Sequence, residues 1–494
     1  MSGRVSLLVD RPVQAITWCV ACVVFLTLAR PVQGVDASVH RRMNVVMIVA
    51  DDWGWSDAAC LGSDFYETPQ IDKFTATSVR FTQAYAAAPV CSPTRAALMT
   101  GKCPARLGMT IWHEGAIRGG PDDRLLREPQ AVANLSRDET TLAKLFRDRG
   151  YFTAHVGKWH LGTAAYYPEA HGFQANVGGT FWGAPATYFY PFAGRWSESD
   201  PEYRYVPGLS PGKVGDYLTD RLTDEAVRII GQQATGPFFL NLWYHSVHSP
   251  IEAPPSLVEK YERKVPGMRH RDARYAAMVE RLDHNIGRVL ATLDEVGLAD
   301  QTVVVLTSDN GGVDFDQRGI VPTSNAPLRS GKGTLYEGGL RVPLMVRWPG
   351  MTDAREVAEP VISQDLFATF AEWLGDAAAS SDGLSLLPLL RDGSATLDRK
   401  QLAWHFPHYY PRFTPGSAVR WKGWKLIHWY EGDRVELYDL SRDPGEGNNL
   451  AAADPELASQ LRQRLDTWRH DVAAREPHLR RADGVNGQKR HRRH

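Results

Sequence analysis

Cys91 is the residue with the most distinctive chemical setting in this sequence. It begins the segment Cys91-Ser92-Pro93-Thr94-Arg95, and a helix-forming run follows at residues 96–101. Pro93 suits the first turn of a helix, because the missing N–H of proline is no loss there. We therefore expect Cys91 at a helix N-terminus, where free N–H groups and the helix dipole favour an anion, with Arg95 one turn further along the same face. A buried structural cysteine is the other interpretation, and this segment alone does not decide between them.

Polar side chains also follow four apolar runs of strand length, at the point where each run ends. Residues 44–50, 151–156, 238–244 and 302–308 lead into Asp51-Asp52, Gly157-Lys158-Trp159-His160, His245 with His248, and Asp309-Asn310. Ligands of open α/β sheets bind beyond the carboxyl ends of the strands. A single cluster of this kind is often a helix cap or a solvated loop, but four repeats of the pattern favour one shared site.

Two of these clusters supply hard oxygen ligands, namely Asp51, Asp52, Asp309 and Asn310. Three carboxylates that converge would repel one another unless a cation lay between them. Oxygen ligands of this type suit Ca²⁺ or Mg²⁺. The sequence therefore predicts one divalent cation site, with Ca²⁺ the expected ion and Mg²⁺ the alternative.

Basic and titratable residues accompany the acids. Arg95, Lys158 and Lys332 could bind an oxyanion ester, and His160 and His248 could transfer protons near neutral pH. Histidines in general are more often structural. His245 competes with His248, since it lies at the end of the same run.

Alternating apolar strands and amphipathic helices predict an α/β fold with a large, mainly parallel sheet flanked by helices. Helices are expected at residues 68–80, 141–150, 217–233, 271–297 and 363–375, and an aromatic-rich surface insertion at 171–212. Short strands between 419 and 440, followed by a helix at 454–474, predict a smaller antiparallel sheet plus helix. The expected division is a signal peptide at 1–34, a catalytic domain at 35–398, a C-terminal subdomain at 399–480 and a basic disordered tail at 481–494.

Composition narrows the functional class. The formal net charge of the 494 residues is −1, which gives no global field for nucleic acid. Arg4 and Arg11 precede an apolar run at residues 15–29, the layout of a signal peptide, which predicts export to a periplasmic, secreted or lysosome-like compartment. An uncleaved anchor is the alternative for this run, and no other stretch is expected to form a stable membrane span. Of five cysteines, two lie within the signal, and whether Cys60 pairs with Cys103 stays open.

These motifs resemble those of the type I, formylglycine-dependent sulfatases of the alkaline phosphatase superfamily. The resemblance runs in order from Asn44 to about Pro349 and extends into residues 421–450. The matching segments are Asp51-Asp52, Cys91 to Gly101, Gly157-Lys158-Trp159-His160, His248-Ser249-Pro250, Asp309-Asn310-Gly311, and Gly331-Lys332. The His-x-Pro match is the reason for choosing His248 over His245.

The resemblance implies the roles of the site residues. Cys91 would be converted by a formylglycine-generating enzyme to 3-oxoalanine (formylglycine), whose hydrate is the nucleophile, and residue 91 would join Asp51, Asp52, Asp309 and Asn310 at the metal. The implied catalytic set adds two lysines that hold sulfuryl oxygens, a general acid, a base for the residue-91 hydroxyl, and an arginine that braces residue 91: Lys158 and Lys332, His248, His160, and Arg95.

The expected activity is hydrolysis of a sulfate monoester, on a sulfated carbohydrate or an aryl sulfate. The aromatic residues between 181 and 196 suit sugar stacking, although they could equally form a packed loop. One alternative is a phosphonate monoester or phosphodiester hydrolase on the same fold. The other is a glycan-binding protein in which Cys91 is unmodified.

Overall fold

A computed structural model describes residues 42–197, 200–209, 211–317, 319–350, 353–376 and 379–480. The predicted signal peptide and basic tail lie outside these residues. The strands are β1 (Asn44–Ala50), β2 (Val79–Phe81), β3 (Ala84–Tyr85), β4 (Leu126–Arg127), β5 (Phe152–Gly157), β6 (Ala175–Val177), β7 (Ala193–Ser197), β8 (Asp200–Tyr205), β9 (Phe238–Trp243), β10 (Thr302–Ser308), β11 (Leu344–Arg347), β12 (Arg355–Val357), β13 (Val361–Ile362), β14 (Leu402–Phe406), β15 (Gly416–Trp421), β16 (Trp424–Trp429), β17 (Arg434–Asp439) and β18 (His478–Leu479).

The α-helices alternate with these strands over most of the chain. They are α1 (Pro69–Thr75), α2 (Cys91–Thr100), α3 (Pro104–Leu107), α4 (His113–Arg118), α5 (Leu142–Arg147), α6 (Leu218–Gln232), α7 (Pro255–Glu262), α8 (Ala273–Glu295), α9 (Glu337–Leu340), α10 (Gln364–Trp373), α11 (Leu387–Arg391) and α12 (Pro455–Asp471).

An eight-stranded sheet forms the centre of the fold, in the order β12-β2-β11-β10-β1-β9-β5-β6. The five strands from β10 to β6 are mutually parallel, whereas β11 is antiparallel to both of its neighbours. Successive residues of β1 enter opposite cores, since Val46 and Ile48 pack on the side of α6 and α8 while Met47 packs on the side of α2 and α10. Burial on both faces explains why β1 and β10 are continuously apolar. The predicted α/β class is confirmed.

The register of the parallel strands brings their carboxyl ends together. Ala50 pairs with Ser308, and Trp243 of β9 pairs with both Val49 and Gly157. The residues that follow β1, β10, β9 and β5 therefore all emerge at one edge of the sheet, as the sequence predicts.

A separate four-stranded antiparallel sheet, β14-β15-β16-β17, follows the large one along the chain. One face, including Leu426, packs on Leu461 and Leu465 of α12. The other face, including Ile427, packs against Tyr85 and neighbouring residues of the larger layer. This arrangement confirms the expected smaller sheet with its helix.

Two local predictions are wrong. The helix expected at 68–80 ends at Thr75, because Val79–Phe81 instead forms β2 inside the main sheet. The insertion at 171–212 is not only surface loop, since it contributes β6 to the sheet edge and buries Tyr188 and Phe192.

Three cysteines lie within the described residues. Cys60, Cys91 and Cys103 are free thiols, so the structure contains no Cys60–Cys103 disulfide. Within the described ranges, no helix combines the length and apolar content needed to cross a membrane.

Candidate active site

Four oxygen-bearing side chains meet where β1 and β10 end. Asp51 and Asp52 follow β1, Asp309 and Asn310 follow β10, and all four are at most 1% exposed. The backbone N–H of Asp52 donates to Oδ1 of Asp309 over 3.2 Å, and Nδ2 of Asn310 donates to Oδ1 of Asp52 over 2.8 Å. The parallel register of the two strands produces this convergence, which the sequence predicted from strand-end positions.

The donor set fits a hard divalent cation. Ligand atoms of Asp51, Asp52, Cys91 and His248 all lie within 4.8 Å of one another. Oδ1 of Asn310 is buried and has no hydrogen-bond partner in the described structure. A buried carbonyl oxygen without a partner is costly, and coordination to a cation would satisfy it.

Three buried cations face the three carboxylates. Nζ of Lys158 lies 2.6 Å from Oδ2 of Asp51, and Nζ of Lys332 lies 2.7 Å from Oδ1 of Asp52. Nε of Arg95 donates to Oδ2 of Asp309 over 2.8 Å. Each carboxylate therefore has a basic partner, as buried charges require.

Arg95 is held more by the carboxylates than by residue 91. Besides Asp309, its guanidinium lies 3.7 Å from Asp51 and donates to the carbonyl of Lys158 over 3.1 Å. It also lies over the ring of Trp243. These contacts fix Arg95 beneath the site, one turn of α2 below Cys91.

Burial and neighbouring charges act in opposite directions on the pKa values of the three carboxylates. Burial raises the pKa of Asp51 to about 8, although Lys158 acts in the opposite direction. Burial also works to raise the pKa of Asp52, but Lys332 and His248 bring it below its ordinary value. For Asp309 the opposing charges of Arg95 and Lys158 prevail over burial, so its pKa is also lowered. The site therefore holds carboxylates of unequal basicity within one cluster.

Cys91 is the first residue of α2, as its sequence setting predicts. Val90, the residue before it, is extended, and Sγ of Cys91 lies 3.6 Å from Oδ1 of Asp51. Burial raises the pKa of the Cys91 thiol to about 12. The unmodified side chain is therefore a neutral thiol at physiological pH and a weak nucleophile.

Of the two histidines after β9, His248 is the one at the cavity. Its Nε2 lies 3.6 Å from Oδ2 of Asp52, and its Nδ1 lies 2.7 Å from the carbonyl of Ser249. Because a carbonyl only accepts, Nδ1 carries hydrogen and Nε2 faces the carboxylate side. His245 is buried and does not line the cavity.

His160 also lines the cavity and has a partner that the sequence did not reveal. Its Nε2 is 2.6 Å from Oε2 of Glu114. The backbone of His160 has a φ of 61°, in the left-handed region, as does that of Asp52 at 60°. Strained backbone of this kind is concentrated at functional sites.

These groups open into one cavity of about 140 Å³. Cys91, His160, His248 and Lys332 line it, as the sequence-based site requires, while Lys158 and Arg95 lie below it. The further lining residues that sequence reasoning missed include Trp112, Glu114, Arg204 and Tyr410. None of them follows a parallel strand of the main sheet, so strand-end position gave no signal. For Tyr410 the aromatic cluster at residues 408–410 was the available hint.

Comparisons with known proteins agree with this geometry. A family model described as Sulfatase matches residues 43–376, and one described as N-sulphoglucosamine sulphohydrolase, C-terminal, matches residues 331–471. A sulfatase from Formosa agariphila is 32% identical, across 87% of this chain and 89% of the relative. The N-acetylgalactosamine-6-sulfatase of Homo sapiens is 31% identical, across 85% and 83%, and the steryl-sulfatase of Mus musculus is 32% identical, across 88% and 82%. The solved structure of Ps i-CgsB in complex with k-i-k-neocarrahexaose superimposes with a TM-score of 0.72 at 27% identity, across 87% of this chain and 93% of that one.

Proposed function

The chain belongs to the sulfatase family, and we propose that the sulfate monoester it hydrolyses is carried by a carbohydrate. The observation that carries the proposal is the convergence of three buried carboxylates and three buried cations around Cys91, beneath a single cavity. Trp112, Trp196 and Tyr410 line that cavity and offer faces on which a sugar ring could stack. Relatives named for sulfated sugars add support.

A divalent cation would be held by Asp51, Asp52, Asp309 and Asn310, with residue 91 completing the set, and Ca²⁺ is the expected ion. Bound there, it would offset the charge of the sulfate and act as a Lewis acid toward its oxygens. The unpartnered Oδ1 of Asn310 supports this assignment.

Residue 91 is proposed to function as formylglycine, made from Cys91 by a formylglycine-generating enzyme. The modified side chain would supply a hydrated aldehyde, whose hydroxyl is a far better nucleophile than the buried thiol. Its position at the start of α2 places it against the N-terminal N–H groups, which favour an anionic substrate.

Lys332 and His248 act on the substrate from the cavity wall. Lys332 presents its ammonium group beside Asp52 and binds a sulfuryl oxygen. His248, whose Nδ1–H is held by the Ser249 carbonyl, would donate the Nε2 proton of its imidazolium form to the departing alcohol. Lys158 and Arg95 stabilise the carboxylates from below, and Lys158 adds positive charge beneath the sulfate.

Export is proposed as well, with residues 1–34 as the signal. The support is the charge and hydropathy layout of that segment. N-terminal sequencing of the protein isolated from its own host would test this, with cleavage near residue 34 as the expected result and an intact N-terminus as the contrary one.

The test combines modification and turnover. Protein from its own host is digested, and the mass of the peptide containing residues 91–95 is measured; the expected change is loss of sulfur and gain of an aldehyde or its hydrate. Rates are then compared on sulfated oligosaccharides, a steroid sulfate, 4-nitrophenyl sulfate and an aryl phosphodiester. Cys91→Ala should abolish turnover, and Cys60→Ala, at a partly buried thiol outside the site, should not.

Each alternative has its own outcome. Much faster turnover of the phosphodiester would favour the phosphodiesterase reading, and faster turnover of the steroid sulfate would remove the carbohydrate proposal. An intact thiol together with no turnover of any ester would favour a glycan-binding protein.

A further inference from the structure

We propose that Glu114 is a positioning residue that fixes the ring of His160 with hydrogen on Nε2, so that Nδ1 is the nitrogen that accepts a proton in the cavity. The inference rests on the proposed function, because it takes His160 as a base. It concerns a residue that lies outside all the motifs of the sequence analysis.

The contacts of Glu114 define the orientation of the ring. Oε2 of Glu114 lies 2.6 Å from Nε2 of His160, and the two side chains are 7% and 2% exposed. An ionised carboxylate can only accept hydrogen bonds, so Nε2 must carry the hydrogen. The pKa of Glu114 is held below its ordinary value by His160 and the Gly183 N–H despite its burial, which keeps it ionised.

The other ring nitrogen of His160 is left available. Nδ1 is buried and has no hydrogen-bond partner in the part of the chain that the structure describes. His160 and Cys91 both line the cavity. A neutral imidazole with hydrogen on Nε2 has its lone pair on Nδ1, as a proton acceptor toward the residue-91 side chain requires. The same logic orients the base of serine hydrolases through a buried carboxylate.

The start of α2 places Glu114 beside His160. Oγ of Ser92 donates to the carbonyl of His160 over 2.8 Å and accepts from the N–H of His113 over 3.0 Å. The residue next to Cys91 therefore fixes the backbone of His160 and the start of α4, from which Glu114 projects. A single hydroxyl group, on the residue that follows Cys91, thus links the backbone of His160 to the residue that precedes Glu114.

Gly183 binds the other carboxylate oxygen of Glu114. Its N–H donates to Oε1 of Glu114 over 2.9 Å, so both carboxylate oxygens are engaged. A Cβ atom at this position would lie 2.4 Å from Cε1 of His160. Glycine is needed here because the backbone approaches the imidazole too closely for any side chain.

The decisive variant is Glu114→Gln. If its amide oxygen accepts from Gly183, its NH₂ faces Nε2 of His160 and favours the tautomer with hydrogen on Nδ1, which removes the acceptor. If the oxygen accepts from His160 instead, the NH₂ faces the Gly183 N–H, another donor. We expect kcat to fall by about 100-fold, the lower end of what a positioned base contributes, while KM changes by less than about threefold. Glu114→Asp, which keeps the charge, should recover part of the loss. A kcat within threefold of the wild-type value, or a loss confined to KM, would overturn the proposal.

A second readout does not depend on turnover. Histidine-selective ¹⁵N NMR of protein with an unmodified Cys91, with the His160 signals assigned through His160→Gln, should show a protonated Nε2 with a strongly downfield proton and an unprotonated Nδ1. Glu114→Gln should lose that downfield signal. A protonated Nδ1 in the wild-type protein, or a downfield signal that survives in Glu114→Gln, would refute the role of Glu114 even if sulfatase activity were present.

Glu139→Gln is the matched control, since Glu139 is a half-buried partner of Lys102 outside the cavity. It should change neither kcat nor the His160 signals. If no substrate is turned over but the NMR pattern is as expected, the proposed function fails and the positioning of His160 stands.

Discussion

Lys425 links the small sheet to the segment that carries Lys332, and its removal should destabilise the protein more than any surface substitution. Its Nζ lies 3.0 Å from Oε1 of Glu337 and 2.9 Å from Oε1 of Glu446, and all three side chains are at most 1% exposed. Glu337 begins α9, five residues after Lys332. Glu446 also accepts the N–H of Glu337 over 2.6 Å.

Lys425→Met replaces the only cation shared by these two carboxylates in the described structure with an apolar side chain of similar length. Removing one partner of a buried ion pair costs about 3–5 kcal/mol, because the remaining charge is left uncompensated. Glu337 keeps the Tyr85 hydroxyl at 2.7 Å, so the loss falls mainly on Glu446, whose pKa burial already raises to about 7. Without the lysine the pKa of Glu446 rises further. The loss of stability caused by Lys425→Met should therefore grow as pH rises from 5 to 7.5. Over that interval Glu446 begins to ionise beside Lys425 in the wild-type fold, whereas in the variant it stays protonated when folded and ionises only when the chain unfolds.

Urea unfolding followed by tryptophan fluorescence at pH 5 and pH 7.5 measures this loss of stability. Lys422→Met is the matched control, because Lys422 is exposed in the turn between β15 and β16, and β16 also carries Lys425. This control should change stability by less than about 0.5 kcal/mol. Adding Glu446→Gln to Lys425→Met should recover part of the loss at pH 7.5. If Lys425→Met costs no more than Lys422→Met, or costs the same at both pH values, the argument from unpaired buried charge is wrong.

Three further predictions concern the site and the core. His248→Gln should slow alkyl sulfates at least tenfold more than 4-nitrophenyl sulfate, because a good leaving group needs no proton; equal losses on both substrates would contradict its role as the acid. Asp309→Asn should remove bound metal and lower turnover by more than about 100-fold, whereas Asp353→Asn, at an exposed position, should do neither. Mass spectrometry measures the metal stoichiometry of both variants, and full occupancy in Asp309→Asn would count against the assigned ligand set. Asp283 accepts the N–H of Ile71 over 2.7 Å, and burial raises its pKa to about 7. The contribution of Asp283 to stability is therefore complete below pH 4 and is lost as pH rises toward 7. Asp283→Asn should flatten the curve of unfolding free energy against pH over that interval, as measured by urea titrations. An unchanged slope would refute this assignment.

The fold could be predicted wherever a long segment shows one clear hydrophobic pattern. β1 and β10 were located to the residue, because strands buried on both faces read as unbroken apolar runs. The α8 helix was located from its apolar stripe, with only the ends differing. Short strands are different: β2 has three residues, too few for a period, and its sheet position depends on β11 and β12, which are far away in the sequence.

The site residues likewise fall into a group that the sequence predicts and a group that it does not. Residues at the ends of parallel strands could be grouped in advance, since strand ends meet by topology. Glu114 and Tyr410 could not, because they reach the cavity from α4 and from the segment after β14, and only tertiary packing brings them there. No local pattern separates Glu114 from any surface glutamate in a helix.

The small sheet is part of the catalytic unit rather than an appendage to it. The segment that carries Lys332 contacts this sheet region at several points. Among them are the ion pair of Glu337 with Lys425 and the contact of Gly333 with Tyr410, whose ring would lie 1.9 Å from a Cβ at position 333. Tyr410 in turn lines the cavity next to Lys332. The ammonium group of Lys332 lies within hydrogen-bond distance of Asp52, and these contacts hold the segment in the position that places it there. The buried contacts of Lys425 and Glu446 with Glu337 thus hold the start of α9, and with it the segment that carries Lys332, against the small sheet.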